Sequence, residues 1–198
     1  MVYPNLLEKL ISFYKKLPTI GEKSAERLAL ATIELDDDEI VSFSKNIVLA
    51  KQNLVPCKIC NNLTDKETCS ICNDSSRNKN LICVIEDYKS VYSFEKAGNY
   101  KGMYHILNGL ISPMKDIGPE DINIRSLIDR IDKLDNPEII LALKSSIEGE
   151  TTTLYIKKIF EDKNVTISRL SYGIPMGAEI DYLDVLTLDK ALQDRKIL

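Results

Sequence analysis

The sequence predicts an α/β protein of several modules: an N-terminal helical domain, a four-cysteine module, a mostly parallel sheet with helices packed on it, and a C-terminal helix. Three observations support this prediction. Apolar residues recur at helical spacing in the N-terminal quarter, four cysteines then form two close pairs, and short β-prone runs alternate with helical patterns beyond Asn80. We expect the module boundaries at 1–54, 55–77, 78–175 and 176–198.

Length and composition fit an ordered globular protein. The chain has 198 residues, of which 44% are hydrophobic and 28% are charged, so intrinsic disorder is not expected. The N-terminal stretch MVYPNLLEKL lacks the basic and long apolar regions of a signal peptide, and no apolar run reaches the roughly 20 residues of a membrane span. We therefore expect a cytoplasmic protein with no membrane association.

Three helices are predicted in the first module. The first follows Pro4 and ends before Pro18, and the second follows a short turn at 19–21. The third is capped by the aspartates at 36–38 and runs up to Pro56. The apolar stripes of the first two helices are Leu6, Leu10, Phe13, Tyr14 and Leu17, then Ala25, Leu28, Ala29 and Ile33.

The net charge of −4 is unfavourable for a nucleic-acid-binding protein, because phosphate contacts need lysine and arginine. Any DNA-binding surface must therefore be local. The segment from Met1 to Ala31 is net positive, with the cations Lys9, Lys15, Lys16, Lys23 and Arg27 against Glu8, Glu22 and Glu26.

The turn between the first two helices looks like a helix-hairpin-helix motif, whose glycine turn directs backbone N–H groups at a DNA phosphate. The motif covers 17–29, with Gly21 in the turn. Lys23 and Arg27 are four residues apart on one helix face and would add phosphate contacts that do not read bases. The alternative is a plain helical hairpin with a solvated basic face, since lysine and arginine are normal surface residues.

Four of the five cysteines have the spacing of a metal site. Cys57 and Cys60 form one pair, Cys69 and Cys72 form the other, and each pair is separated by two residues. Four thiolates close a tetrahedral Zn²⁺ site with no open position, so we predict a structural zinc ion. The alternative is that these are incidental buried cysteines, and the fifth, Cys83, is interpreted in this way as a small core residue.

Strand and helix patterns alternate after the cysteines, beyond a polar linker at 75–80. Such alternation favours a mostly parallel sheet covered by helices. The expected strands are 81–85, 103–107, 138–143 and 165–170, and the expected helices are 89–97, 124–134, 150–162 and 186–196.

Glu86 and Asp87 follow the first of these strands, where open α/β sheets place their sites. This arrangement looks like the start of a Toprim domain, the α/β module shared by topoisomerases and primases. The resemblance implies a glutamate here and a later Asp-x-Asp pair that together hold Mg²⁺. The later position instead reads LKSS at 143–146, and Lys144 would repel a divalent cation, so Mg²⁺ is not expected.

Two further acids follow the missing pair. Glu148 and Glu150 are alternatives that would partly restore a metal site, but acids in the first turn of a helix more often stabilise its N-terminus. The only histidine, His105, has no adjacent nucleophile and is interpreted as a half-buried structural residue. The glycines of the segment 173–177 follow neither the Rossmann nor the P-loop spacing.

The hairpin, the four-cysteine module and the degenerate Toprim module, in this order, resemble the RecR family of recombinational-repair proteins. The resemblance runs nearly end to end and includes VIEDYKSVYSFEKAGNYKGMYHILNGLISPMKDIGPEDI, IEGETTTLYI and RLSYGIPMGAEIDYLDVLTLDKAL. It implies a non-catalytic, nucleoid-associated ring of four subunits that clamps DNA and cooperates with RecO and RecF to load recombinase at gaps. Lys23 and Arg27, beside Gly21, are the DNA contacts that it implies.

The chain departs from the family pattern at three places. Thr19 stands where many relatives have glycine, LKSS at 143–146 replaces a usual Thr-Asn-Pro-Thr context, and Ala178 takes a common glycine position. The acids Glu86, Asp87, Glu148 and Glu150 would still suit a docking patch for a basic partner such as RecO. Two other hypotheses stay open, a Mg²⁺-dependent Toprim nuclease or primase-like enzyme and a zinc-stabilised adaptor without nucleic-acid contact.

Overall fold

The computed structural model of the protein describes residues 3–171, 174 and 177–195. The chain divides into two compact units, Met1–Leu54 and Val55–Leu198. None of the described helices is long and apolar enough to cross a membrane.

The first unit is helical, as predicted. Helix α1 spans Asn5–Tyr14, α2 spans Glu22–Ile33 and α3 spans Asp37–Asn53. Ile11, Ala25 and Ala29 are buried where α1 packs on α2, and the small alanine side chains allow a close approach of the two helices. The Tyr14 hydroxyl and Thr32 Oγ1, 2.5 Å apart, add a hydrogen bond between these helices.

The backbone conformation at Thr19, in the turn between α1 and α2, is one that glycine adopts more easily than threonine. Its φ is 68°, in the left-handed region that a β-branched residue rarely adopts. Gly21 has an extended conformation and caps α2 with φ −85°. The φ angle therefore favours glycine at position 19, whereas the φ angle at position 21 does not require glycine.

The second unit begins with the four-cysteine module. Strand β1, Val55–Pro56, pairs antiparallel with β2, Leu63–Thr64, and the short helix α4 spans Ser70–Asn73. These elements are too short to enclose an apolar core of their own, and the buried residues of the module are mainly its cysteines.

A four-stranded parallel sheet forms the rest of the core. Its strands are β3 Asn78–Ile85, β4 Gly102–Ile106, β5 Glu138–Ala142 and β6 Thr166–Arg169, in the order β4-β3-β5-β6 across the sheet. Edge strand β4 is buried along its whole length, as are the second half of β3 and alternate residues of β5, whereas the described part of the C-terminal region is largely exposed. The helices are α5 Tyr88–Ala97, α6 Ile124–Ile131, α7 Ile147–Ile159 and α8 Val185–Gln193.

Short 3₁₀ turns at Pro113–Lys115 and Ile180–Tyr182 complete the described elements. The predicted linker at 75–80 is wrong in its second half, because β3 begins at Asn78. Helix α7 begins three residues before the predicted position, since the Ser146 hydroxyl caps it by accepting a hydrogen bond from Gly149 N. Most of the segment 173–177 and the predicted helix end at Lys196 lie outside the described residues.

Candidate functional site

The four paired cysteines converge on one point. The sulfur atoms of Cys57, Cys60, Cys69 and Cys72 lie within 4.8 Å of one another, and all four residues are buried. Cys60 Sγ and Cys69 Sγ are 3.6 Å apart. Four sulfurs at about 2.3 Å from a tetrahedral zinc ion would lie about 3.8 Å apart, so the cluster has the dimensions of a zinc site.

Two backbone N–H groups donate to sulfur atoms of the cluster. Cys69 N donates to Cys57 Sγ at 3.3 Å, and Cys72 N donates to Cys69 Sγ at 3.5 Å. Hydrogen bonds from the Cys60 and Cys72 side chains lower the pKa of the Cys69 thiol, while the Cys69 side chain raises the pKa of Cys60. The sulfurs compete for protons in one small buried space, and a zinc ion replaces those protons as the compensating charge.

The zinc module is joined to the sheet through the backbone of one of its cysteines. Ile106 N, at the end of edge strand β4, donates to Cys60 O at 2.8 Å. Asn61 Nδ2 donates to Ser126 Oγ on α6 at 3.3 Å. The module thereby satisfies a backbone donor on an edge strand that would otherwise face solvent or another chain.

The predicted DNA-binding residues lie at the start of α2. Lys23 and Arg27 are exposed, whereas Ala25 and Ala29 are completely buried. A two-residue offset corresponds to about 200° around a helix, so the two cations lie on the face opposite the buried one. No side chain caps the N-terminus of α2, and the space where a Cβ would extend from Gly21 is open. The backbone N–H groups in the first turn of α2 are thus accessible to an anion.

Charge at this helix start is adjusted by a neighbouring ion pair. Glu22, in the first turn of α2, pairs with Lys15 from just beyond α1. The carboxylate that would repel a phosphate is therefore partly neutralised, although both side chains are exposed and solvent weakens the effect. This contact links the two arms of the hairpin.

The residues that follow β3 and β5, 86–87 and 143–150, form the Toprim-like edge, and this edge contains an internal ion pair. Glu86 directly follows β3, Lys144 lies two residues beyond β5, and these strands are neighbours with Ile85 paired to Ala142. Lys144 Nζ lies 3.0 Å from Glu86 Oε1. Beside them, Asp87 caps α5, because its Oδ1 accepts hydrogen bonds from Lys89 N and Ser90 N.

The two later acids are separated in their roles. Glu150 pairs with Arg169 on β6, with 3.5 Å between Oε2 and the guanidinium. Glu148 lies at the start of α7, where its own backbone N–H and the Ser146 hydroxyl lower the pKa of its carboxyl. Among the described residues, the four cysteines are the only group of three or more thiol, imidazole or carboxylate side chains close enough to hold a metal ion.

Comparison with known protein families follows the same modular order. Family models match the RecR helix-hairpin-helix at 7–51, the RecR four-cysteine zinc finger domain at 54–74, a Toprim domain at 80–171 and the RecR C-terminal region at 173–196. The chain is 45% identical over 195 residues to a protein of Streptococcus uberis named Recombination protein RecR, and the match covers 98% of both chains. The chain belongs to the RecR family.

Family membership and the sulfur geometry confirm the predicted structural zinc ion of this RecR-family chain. They also confirm the predicted fold class, which combines a helix-hairpin-helix domain, a zinc finger, a Toprim-type parallel sheet and a C-terminal helix. In contrast, the carboxylates of the Toprim-like edge do not fit a divalent ion, because the Lys144 ammonium already lies against Glu86.

His105 and Cys83 are core residues of this RecR-family sheet. His105 is completely buried, so its predicted half-buried position is wrong. Its Nε2 lies 2.9 Å from Asn123 O, and burial lowers the pKa of the imidazole to about 4, which keeps the ring neutral. Burial raises the pKa of the Cys83 thiol to about 12, consistent with an unreactive core cysteine.

Two contacts near the sites have no signal in the sequence. Arg169 is 19 residues from its partner Glu150, and no local spacing relates them. Arg77, at the end of the zinc module, pairs with Glu95 of α5, whose carboxylate also accepts a hydrogen bond from the Tyr104 hydroxyl at 2.7 Å. Such pairs depend on the tertiary fold, and only the structure identifies them.

Proposed function

We propose that this chain is a non-catalytic clamp that binds DNA without sequence preference in recombinational repair. The observation that carries the proposal is the basic face of α2, where Lys23 and Arg27 lie beside accessible N–H groups at Gly21. Such groups contact phosphate and sugar oxygens, and they position a protein on DNA without reading its bases. The name of the Streptococcus uberis relative, a recombination protein, supports the pathway.

The clamp is a ring of four copies. The first unit exposes many large apolar side chains, among them Leu6 with 81% of its surface accessible, Phe13 and Ile33. An isolated soluble domain rarely exposes so much apolar surface, so association between copies is favoured. A ring also reconciles DNA binding with a net charge of −4 per chain, because repetition of a small basic face around a channel multiplies its effect.

The clamp acts with RecO and RecF to promote recombinase loading at gapped DNA, in the cytoplasm at the nucleoid. A basic partner such as RecO would dock on the acids Glu86, Asp87, Glu148 and Glu150. Because Glu86 pairs with Lys144 and Glu150 pairs with Arg169, Asp87 and Glu148 contribute most of the remaining charge. In this proposal the finger spans 55–77, the Toprim domain 78–175 and the C-terminal tail, which takes part in ring contacts, 176–198.

The DNA-binding site is tested by Lys23→Ala combined with Arg27→Ala in the full-length, zinc-loaded protein. We expect weaker binding to a gapped duplex and a smaller dependence of affinity on salt, because two phosphate contacts are removed from each chain. The matched control is Lys45→Ala with Lys51→Ala, which removes two exposed cations from α3 of the same unit.

An equal loss of DNA affinity in both double variants would contradict the assignment of Lys23 and Arg27 as the DNA-binding site. Unchanged DNA affinity in the Lys23→Ala, Arg27→Ala variant would also contradict it.

Mass measurement with and without DNA tests the ring, since a chain that stays monomeric in both states contradicts it. Turnover of DNA or RNA with Mg²⁺ that disappears in Glu86→Gln would instead establish an enzyme.

A further inference from the structure

The Toprim-like edge places a lysine against one carboxylate, and two further carboxylates lie on neighbouring segments. Glu86 extends from the end of β3, Asp87 follows it, and Glu148 begins α7 beyond β5. Lys144 lies between these elements, and its Nζ is 3.0 Å from Glu86 Oε1. Glu86 raises the pKa of the Lys144 ammonium most strongly, through its hydrogen bond and its charge, and the charges of Glu148 and Asp87 raise it further.

The backbone holds Lys144 in this position. A Cβ added at Gly149 would lie 1.9 Å from Lys144 O, so glycine is required where α7 passes this carbonyl. Ser146 N also donates to Lys144 O at 3.0 Å, and the Ser146 hydroxyl caps α7. The segment between β5 and α7 is therefore tightly turned, and residue 144 is fixed beside the end of β3.

We propose that the Lys144 ammonium is the resident cation of this edge, taking the place of the divalent ion that the Toprim resemblance implies. The Glu86 carboxylate is compensated from within the chain, and the ion pair links the end of β3 to the segment after β5 without a metal. This inference gives a structural reason for the proposed absence of catalysis, and it rests only on the non-catalytic part of the proposed function. DNA binding through α2 is independent of it.

The proposal predicts that one substitution opens a metal site. Lys144→Asp removes the ammonium and adds a carboxylate next to Glu86, on the same edge as Asp87 and Glu148. Hard divalent cations take carboxylate and water oxygens, so Mn²⁺, a spectroscopic substitute for Mg²⁺, should bind the variant with about one ion per chain. The zinc site does not compete, because its thiolates select softer metals than Mn²⁺.

The experiment follows the electron paramagnetic resonance signal of free Mn²⁺ during titration with full-length, zinc-loaded protein. The wild type should leave the signal unchanged, and Lys144→Asp should reduce it, with at least about a tenfold gain in affinity for Mn²⁺. Adding Glu86→Gln to Lys144→Asp should restore the wild-type signal. Lys158→Asp, at the other end of α7, makes the same charge change and should behave like the wild type.

Uptake of Mn²⁺ by the wild type that Glu86→Gln abolishes would overturn the proposal, as would the absence of uptake by folded Lys144→Asp. Lys144→Gln, which keeps a polar side chain of similar length, serves if the aspartate variant does not fold. It should show weaker but Glu86-dependent uptake, and no uptake would again overturn the proposal. DNA binding by the α2 variants is measured separately, so failure of the Lys144 proposal does not imply failure of the DNA-binding proposal, and the reverse also holds.

Discussion

The second unit contains two groups of anionic side chains, the zinc cysteines and the carboxylates around Lys144, and their charges are compensated differently. The four cysteines are buried, their sulfur atoms lie within 4.8 Å of one another, and they depend on a bound ion. At the Toprim-like edge, the Lys144 and Glu86 side chains are 54% and 29% exposed, and the cation belongs to the chain.

Burial accounts for the difference. A buried thiolate cluster needs a compact, strongly coordinating ion, because removing separate charges from water costs several kcal/mol for each ion. At an exposed edge water already screens the carboxylates, and a flexible lysine can approach them with its head group still hydrated. We therefore expect perturbation of the zinc cluster to affect the fold, whereas perturbation of the exposed edge should affect ion or partner binding and leave the fold unchanged.

The largest effect should come from removal of zinc. Cys69→Ser should abolish zinc binding and lower the free energy of unfolding by roughly 5 kcal/mol, because the short elements around the cysteines have no apolar core of their own. Zinc content by mass spectrometry and urea unfolding measure the two effects. The matched control is Cys83→Ala, which should retain zinc, and equal zinc loss in that variant would contradict the four-cysteine assignment.

The zinc cysteines were predictable because their ligands are close in sequence, and the parallel sheet was predictable from alternating strand and helix patterns. The ion pair between Lys144 and Glu86 was not, since 58 residues separate its partners and only the pairing of β3 with β5 brings them together. The start of β3 was missed because Asn78 and Asn80 are polar, exposed residues typical of loops. Turn and cap residues, such as Ser146 before α7, determine element boundaries more than apolar spacing does.

A second, smaller effect should appear at low pH in the sheet next to the zinc module. Because the folded-state pKa of His105 is lowered from 6.5 to about 4, protonation favours the unfolded chain. The contribution to stability is complete above about pH 6.5 and is lost as the pH falls toward 4, by up to about 3 kcal/mol.

His105→Gln should flatten this part of the pH dependence, measured by urea unfolding with zinc content determined at each pH. Zinc release would be common to both proteins, so the difference between them isolates the histidine. Identical pH profiles for the wild type and the variant would show that the thiolates alone cause the acid sensitivity.

A third effect separates buried from exposed ion pairs. Arg77, whose side chain is 11% exposed, bonds to Glu95 and to Gly102 O, and it lies between the zinc module and the sheet. Arg77→Met should leave the Glu95 carboxylate without its main cation and cost about 2 kcal/mol of stability. The double variant Arg77→Met with Glu95→Gln should recover part of the loss, and full additivity of the two single changes would contradict the coupling.

The smallest effect on folding should come from Lys144→Met at the exposed edge. The pair with Glu86 is largely hydrated, so its loss should leave the melting temperature within about 2 °C of the wild type. The variant should also retain zinc and its affinity for DNA, because neither the cysteines nor α2 are changed. Thermal unfolding of Lys144→Met beside Arg77→Met measures the contrast directly. A comparable loss in both would show that Lys144 supports the fold itself, and the distinction between a buried cluster that builds structure and an exposed one that excludes a metal would then disappear.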